Sequence, residues 1–192
     1  MSTLQHHHTA HSLASVVLDK TSVSVSRCYQ CGKCSAGCPA ATEMDLTPSV
    51  ILRHLQREIP ASDAAILSSY TIWLCLSCQT CVTRCPMEVD LPAVMDVLRF
   101  ESMRQKKVHP RAKDILAFHR SFLNTIERFG RLWEIGLIAE YKMRTWHLLQ
   151  DVLVAPAMFL RGKLALLPER VKGRKETKHI FDATRSQEDH HS

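Results

Sequence analysis

Long apolar runs are missing from this sequence of 192 residues, although 45% of its residues are hydrophobic. The most apolar region, residues 132–160, is interrupted by five charged side chains, and its last uncharged stretch, residues 152–160, contains Pro156. A membrane-spanning helix needs ~20 predominantly apolar residues. The sequence therefore predicts no transmembrane segment and a soluble chain, which could still dock on a membrane-bound complex.

A secretory signal is missing as well. The first 20 residues, MSTLQHHHTAHSLASVVLDK, lack a positively charged start followed by an apolar core of roughly 7–15 residues. A cytoplasmic location is therefore expected, and disulfide bonds are disfavoured because they require an oxidising compartment. The histidines of this segment could bind metal, but a solvated tail is the favoured interpretation; they are His6, His7, His8 and His11.

Nucleic-acid-binding motifs are also missing. The chain is basic, with a formal charge of +6, but its aromatic and basic residues are not interleaved and no recognised motif is present. The sequence therefore predicts no nucleic-acid partner.

Cysteine is present in a strict pattern. All eight cysteines fall into two copies of the spacing C-x2-C-x2-C-x3-C, and each last cysteine precedes a proline, Pro39 or Pro86. This is the ligand pattern of a pair of [4Fe–4S] clusters, in which each iron needs one thiolate. Structural zinc is a weaker alternative, because it uses two cysteine pairs, or one pair with histidines, around one metal. The two quartets are Cys28, Cys31, Cys34 and Cys38, and Cys75, Cys78, Cys81 and Cys85.

The fourth cysteine of each quartet is expected to bind the other quartet's cluster. Three cysteines at steps of three wrap a turn of chain around three corners of a cube, whereas the fourth lies beyond that turn. In two-cluster ferredoxins this fourth cysteine ligates the other cluster. The prediction is one cluster on Cys28, Cys31, Cys34 and Cys85, and a second on Cys75, Cys78, Cys81 and Cys38.

The clusters are expected to change the net charge of the chain, and two basic residues lie close enough in sequence to affect the cluster potentials. Each oxidised cluster with four thiolates carries a charge of about −2, so two clusters bring the formal charge of +6 to about +2. Lys33 and Arg84 lie inside the cysteine loops and could raise a cluster potential by placing positive charge nearby. Solvated surface charges are the alternative interpretation for both residues.

The fold class predicted is mainly α: an α-helical ferredoxin-like dicluster domain with a helical C-terminal extension. We divide the chain into a flexible N-terminal segment (1–20), the dicluster domain (21–108), a helical extension for subunit docking (109–172) and a polar flexible tail (173–192). Residues 21–27 could form a short extended lead-in to the first cysteine because apolar and polar residues alternate there.

Helix boundaries can be predicted from capping residues. Thr47 with Pro48, Ser62, and Asp90 each resemble the start of a helix, and Gly130 resembles a helix end. Later breaks are expected at Pro156, Gly162, Pro168 and Gly173.

The extension offers candidate interface residues but no catalytic site. Trp133, Tyr141 and Trp146 could anchor a partner, although each could equally be core. His119 and His147 are interpreted as ordinary helix residues, because no second ligand follows at a spacing of three or four residues.

Several segments resemble the small C-type iron–sulfur subunit of heterodisulfide reductases. They are CYQCGKCSAGCP, CLSCQTCVTRCPMEVDLPAVMDVLR, FGRLWEIGLIAEYKMRT and FLRGKLALLP, which lie between residues 28 and 173. The resemblance implies a helical ferredoxin-like fold with two [4Fe–4S] clusters. It also implies electron relay between a flavin-containing A-like subunit and a catalytic B-like subunit with Cys-Cys-Gly motifs.

This chain has no Cys-Cys pair, so the resemblance assigns disulfide chemistry to a partner and gives this chain no catalytic site of its own. An alternative is the iron–sulfur subunit of a flavin dehydrogenase of the glycolate oxidase, glycerol-3-phosphate dehydrogenase or succinate dehydrogenase type, which share the cysteine pattern. A free, diffusible ferredoxin is a third possibility. The sequence leaves open the substrate of the complex and the direction of electron flow.

Overall fold

The computed structural model describes residues 12–146, 168, 171 and 173–190. These residues form helices and connecting loops, with no strand among them, so the predicted mainly α fold is confirmed. They divide into two compact units, Met1–Ala112 and Lys113–Ser192. Within the described ranges, no helix is both long and apolar enough to cross a membrane.

The first unit contains both cysteine quartets. Its short 3₁₀ helices are Val25–Arg27, Ala41–Glu43 and Pro110–Ala112. Its α-helices, in chain order, are α1 (Leu13–Thr21), α2 (Lys33–Ala36), α3 (Pro48–Gln56), α4 (Pro60–Leu67), α5 (Thr71–Leu74), α6 (Thr80–Thr83) and α7 (Leu91–Arg104).

Helix α7 is central to the core of the first unit. It packs against α1, α4, α5 and α6, while α3 packs against α2 and α4. This arrangement places both quartets beside an apolar interior. The side chains without solvent exposure include Val17, Ile51, Leu55, Ile66, Ile72, Val94 and Leu98.

The N-terminal part of the described chain differs from the sequence prediction. Residues 13–20 belong to α1, Val17 is fully buried, and the Leu13 amide donates to Asp63 Oδ2 at 3.1 Å. The prediction of a flexible segment through residue 20 is therefore wrong for this stretch, because α1 buries an apolar face against α7. The four N-terminal histidines lie outside the described residues.

Three of the predicted helix starts can be compared with the structure. Pro48 opens α3 as predicted, and the Asp90 side chain accepts a hydrogen bond from the Ala93 amide at 3.1 Å as the cap of α7. The prediction for Ser62 is wrong, because α4 already begins at Pro60 and Ser62 lies inside it. The extended lead-in is also wrong, because residues 25–27 form a 3₁₀ turn.

The second unit consists of helices α8 (Lys113–Phe129), α9 (Glu134–Thr145) and α10 (Arg174–His190) in its described part. Gly130 has φ +78° and ends α8, as predicted. Residues 174–190 were expected to be a flexible tail but form a helix, in which Arg185 pairs with Glu127 of α8 at 2.5 Å.

The aromatic residues of the extension have different surroundings. Trp133 contacts Phe129 edge-on and Tyr141 contacts Phe118 edge-on, whereas Trp146 is 82% exposed. Their role as an interface stays a prediction. His147, Pro156 and Gly162 lie outside the described residues.

Candidate metal centre

The two cysteine loops share one backbone pattern, repeated 47 residues apart along the chain. Gln30 and Gly32 have φ of 63° and 76°, and their counterparts Ser77 and Gln79 have φ of 51° and 63°. Residues in this left-handed region next to right-handed turns gather backbone N–H groups into concave sites that suit anions, including iron–sulfur clusters. Both loops therefore have a local conformation that suits a negatively charged cluster.

Each loop continues into one helical turn, and the two turns contact each other. These turns are α2 and α6, and each carries the third cysteine of its quartet, Cys34 or Cys81. The Arg84 side chain lies so close to Gly37 that a Cβ atom there would be 2.6 Å from its Cδ atom. The two cysteine loops therefore pack directly against each other at Gly37 and Arg84.

One cavity is bordered by four cysteines drawn from both quartets. Three come from the second loop and one, Cys38, from the first. The remainder of the wall is mostly apolar, including Met44, Leu91 and Met95, and contains no charged residue. The cysteines are Cys38, Cys75, Cys78 and Cys81.

A second cavity has the reciprocal combination, three cysteines of the first loop with Cys85 of the second. Its wall includes Lys33 and Ser49, and Cys81 borders this cavity as well as the first, so the two sites adjoin at Cys81. No three His, Cys, Asp or Glu side chains in the described parts of the chain are arranged to hold a single metal ion. The other cysteines around this cavity are Cys28, Cys31, Cys34 and Cys85.

The thiols differ in how readily they ionise. Burial raises the pKa of Cys34, and burial together with repulsion from Cys75 raises the pKa of Cys81 to about 11. The pKa of Cys78 is lowered by a hydrogen bond with Thr80, whose Oγ1 lies 3.4 Å from its Sγ. Thiolates are the form that binds iron, so cluster uptake must release protons from the buried cysteines.

The first loop has a hydroxyl beside its exposed cysteine, Cys31. Desolvation raises the pKa of Tyr29, and a hydrogen bond with Cys31 adds to the effect. The Tyr29 hydroxyl therefore stays protonated and can donate to the Cys31 sulfur. Hydrogen bonds of this kind are among the factors that set a cluster's potential.

A side chain from the following helix supports each loop at two carbonyl groups. Gln56 of α3 donates from Nε2 to Cys28 O at 2.6 Å and to Val25 O at 3.0 Å. Arg99 of α7 donates to Cys75 O and to Ile72 O, both at 2.5 Å. In both cases the carbonyls belong to the first cysteine of the quartet and to the residue three positions earlier. No pattern in the sequence predicts a role for either residue.

Asp45 organises the approach to the second loop. Its carboxylate accepts hydrogen bonds from the Thr71 amide at 2.9 Å, the Thr71 hydroxyl at 2.7 Å and the Ser69 hydroxyl at 2.7 Å. Burial opposes ionisation, but these hydrogen bonds outweigh it and hold the pKa of Asp45 well below its usual range. Asp45 therefore fixes the start of α5, which leads directly into Cys75.

The other predicted functional side chains are also placed by the structure. Lys33 borders the cavity of Cys28, Cys31 and Cys34, whereas Arg84 lies over Gly37. His119 is on the exposed side of α8, next to Phe118. The structure thus brings Lys33 to a candidate cluster site and leaves His119 in the other unit.

Known proteins bear out the cofactor prediction. Residues 24–89 match the family model described as a 4Fe-4S dicluster domain. These residues contain all eight cysteines. The chain therefore carries a dicluster domain that binds two [4Fe–4S] clusters.

Curated relatives of this chain include C-type subunits of heterodisulfide reductases. The chain is 37% identical over 78 residues to the C-type subunit of the ferredoxin:CoB-CoM heterodisulfide reductase of Methanosarcina acetivorans, covering 41% of this chain and 30% of that protein. It is 28% identical over 107 residues to the C2 iron–sulfur subunit of the CoB–CoM heterodisulfide reductase of Methanocaldococcus jannaschii, covering 56% of this chain and 52% of that protein. The resemblance to the C-type subunit of heterodisulfide reductases is thus confirmed, and the chain spans between 30% and 52% of the length of these two relatives.

Proposed function

We propose that this chain is the electron-transfer subunit of a cytoplasmic heterodisulfide-reductase-like complex. In this proposal it lies between a flavin-containing A-like subunit and a B-like subunit with Cys-Cys-Gly motifs. The observation that carries the proposal is the pair of adjoining cavities, one bordered by four cysteines and the other by five, with Cys81 bordering both. A [4Fe–4S] cluster, when bound, supplies one-electron redox chemistry at each site.

The residues around the cavities support a relay with no chemistry of its own. Cys31 and Cys78 are exposed, so each site has a sulfur at the protein surface, while the shared side at Cys81 is half-buried. The cavity walls contain no carboxylate and no histidine that could act as an acid or base beside the cysteines. The chain itself would therefore hold, orient and insulate two redox centres.

We further propose crossed ligation, with Cys85 completing the site of Cys28, Cys31 and Cys34, and Cys38 completing the site of Cys75, Cys78 and Cys81. The composition of the two cavity walls supports this assignment. It implies that the fold of the first unit and the binding of its metal are coupled, since each site needs both loops.

Two double variants that remove the same number of cysteines test the crossed ligation. Under crossed ligation, Cys38→Ala with Cys75→Ala removes two ligands of one site, so reconstituted protein should keep about four iron atoms per chain. Cys38→Ala with Cys28→Ala instead takes one ligand from each site and should reduce both clusters' occupancy. Iron analysis and EPR of the dithionite-reduced proteins report the outcome, and the opposite order of iron loss would contradict crossed ligation.

The place of the chain in a complex is tested by copurification from the native host, followed by mass spectrometry. Recovery of a Cys-Cys-Gly protein together with a large flavin and iron–sulfur protein is the expected result. Recovery of an FAD-dependent dehydrogenase subunit instead would support the flavin-dehydrogenase alternative. A monomer with no copurifying protein would support a free ferredoxin.

A further inference from the structure

The surroundings of the two exposed cluster edges differ in charge. Five exposed basic residues belong to the segments around the Cys28, Cys31 and Cys34 site, and none has an ion pair with a described residue. Residues 70–83, which contain most of the other loop, have no charged side chain at all. We name these five residues the basic rim: Arg27, Lys33, Arg53, Arg57 and Arg84.

The contacts of the loop place the basic rim near this site. Lys33 borders the cavity itself, and Arg27 and Arg84 directly precede the ligands Cys28 and Cys85. Arg53 and Arg57 flank Gln56, whose side chain donates to the Cys28 carbonyl at 2.6 Å. The rim therefore surrounds the edge at which Cys31 reaches the surface.

Acidic residues offset only part of this charge. Glu58 follows Arg57, and Glu88 follows Cys85 by three residues, whereas the exposed carboxylates Glu43 and Asp45 lie on the segment that leads from Cys38 to the second loop. A cluster with four thiolates adds negative charge behind the rim. An acidic protein would be repelled by such a cluster alone, but the rim provides attraction at the distance where two protein surfaces meet.

We propose that the basic rim is the docking surface for an acidic redox protein that exchanges one electron with the Cys28, Cys31 and Cys34 site. The inference rests on the proposed electron-transfer function and deepens it by naming the chemistry of one partner. Each encounter moves one electron between the partner's redox centre and this chain, so one loses and the other gains an electron and no atom is transferred. Complementary charge raises association rates and makes them sensitive to salt.

Two variants with the same change in net charge distinguish a local effect on docking from a general electrostatic effect. Arg53→Glu alters the rim without touching a cysteine loop. Lys106→Glu makes the same charge change at an exposed position two residues beyond the end of α7, whose first residue, Leu91, borders both cavities. A helix of 14 residues is about 21 Å long, so Lys106 serves as a distant control.

The experiment follows reduction of the full chain, loaded with both clusters, by stopped flow under anaerobic conditions. The probes are an acidic two-cluster bacterial ferredoxin and the methyl viologen radical cation. We expect Arg53→Glu to slow reduction by the ferredoxin by at least about threefold at low salt, with the difference disappearing at high salt. Reduction by the viologen should be unchanged or faster, and Lys106→Glu should behave like the unmodified protein.

Three outcomes would overturn the docking proposal. They are an unchanged ferredoxin rate in Arg53→Glu, an equal slowing in Lys106→Glu, and a DNA duplex that competes with the ferredoxin for the rim at equal concentration. The last outcome would identify a general polyanion site. If the chain takes up iron and is reduced, but Arg53→Glu does not slow its reduction by the ferredoxin, only the docking proposal is contradicted. If the chain holds no reducible clusters, the proposed function is contradicted.

Discussion

The two cysteine loops, residues 28–38 and 75–85, have the same backbone conformation but different supporting side chains. The neutral amide of Gln56 holds two carbonyls of the first, and the guanidinium of Arg99 holds the corresponding two of the second. A basic rim lies around the site of Cys28, Cys31 and Cys34, whereas residues 70–83, which contain most of the second loop, have no charged side chain. The shared backbone conformation thus follows from binding the same kind of cluster. The charge around each loop can differ, because it affects the contact with a partner protein and not the fold of the loop.

The largest effect is expected from Asp45, which organises the approach to the second loop. Asp45→Ala removes the acceptor for the Ser69 and Thr71 side chains and the Thr71 amide, so we expect a loss of about 2–4 kcal/mol in the free energy of unfolding. Urea titration of the cluster-loaded protein measures it. Glu43→Ala, which removes an exposed carboxylate two residues earlier, is the control and should change stability by less than about 0.5 kcal/mol. Equal losses in the two variants would contradict the role of Asp45.

The same carboxylate gives the second loop a pH dependence. Because the pKa of Asp45 is lowered in the folded protein, its stabilisation is complete above the pKa of an unfolded aspartate, about 3.9, and is lost as the pH falls below that value. Unfolding free energies of the unmodified protein and Asp45→Asn should therefore converge at acidic pH. A constant difference down to the lowest pH at which the clusters survive would show that the charge of Asp45 is not involved.

The dicluster domain could be predicted from the sequence, and the side chains that support its cysteine loops could not. Cluster ligation fixes residue type and spacing within a loop, so eight cysteines and two prolines identify the site. Gln56 and Arg99 donate to carbonyls 28 and 24 residues away along the chain, and Asp45 accepts from an amide 26 residues away. Hydrogen bonds between residues so far apart leave no spacing pattern in the sequence. Helix α1 was missed because only three of its residues are buried, too few to give a clear periodic pattern.

The two carbonyl supports should differ in strength. Arg99→Ala and Gln56→Ala each remove the side-chain hydrogen bonds to two carbonyls, but hydrogen bonds from a charged donor are about twice as strong as those between neutral groups. We expect losses of about 2–3 kcal/mol for Arg99→Ala and about 1–2 kcal/mol for Gln56→Ala in the free energy of unfolding. Asp96→Asn removes only the ion pair of Arg99 and should cost less than about 1 kcal/mol. A larger loss for Gln56→Ala would reverse the comparison.

Substitutions at the residues with left-handed backbone conformation, one in each loop, should differ less in their effect on stability. No atom lies within 4 Å of a Cβ placed on Gly32, so Gly32→Ala should lose only the backbone cost of φ 76°, about 1 kcal/mol. Gln79 already bears that cost at φ 63°, and Gln79→Gly should therefore be neutral or slightly stabilising. Thermal unfolding of both variants, loaded equally with iron, checks the prediction. Destabilisation by both would mean that the Gln79 side chain makes a needed contact.

The smallest expected effect is a change in the midpoint potential of one cluster caused by a substitution in its own loop. Lys33→Ala removes a positive charge from the wall of the first cavity, and Thr80→Val removes the hydroxyl beside the Cys78 sulfur at the equivalent position of the second. Each change should lower the midpoint potential of its own cluster, because it removes a group that stabilises the additional negative charge of the reduced cluster. We expect a shift of some tens of millivolts, where 59 mV corresponds to about 1.4 kcal/mol for one electron. Potentiometric EPR titration resolves the two midpoints, with Thr83→Val, whose hydroxyl donates to the Gln79 carbonyl, as the control. If either substitution moved both midpoints equally, the side chains would act through the general field of the protein and the two loops would not be tuned separately.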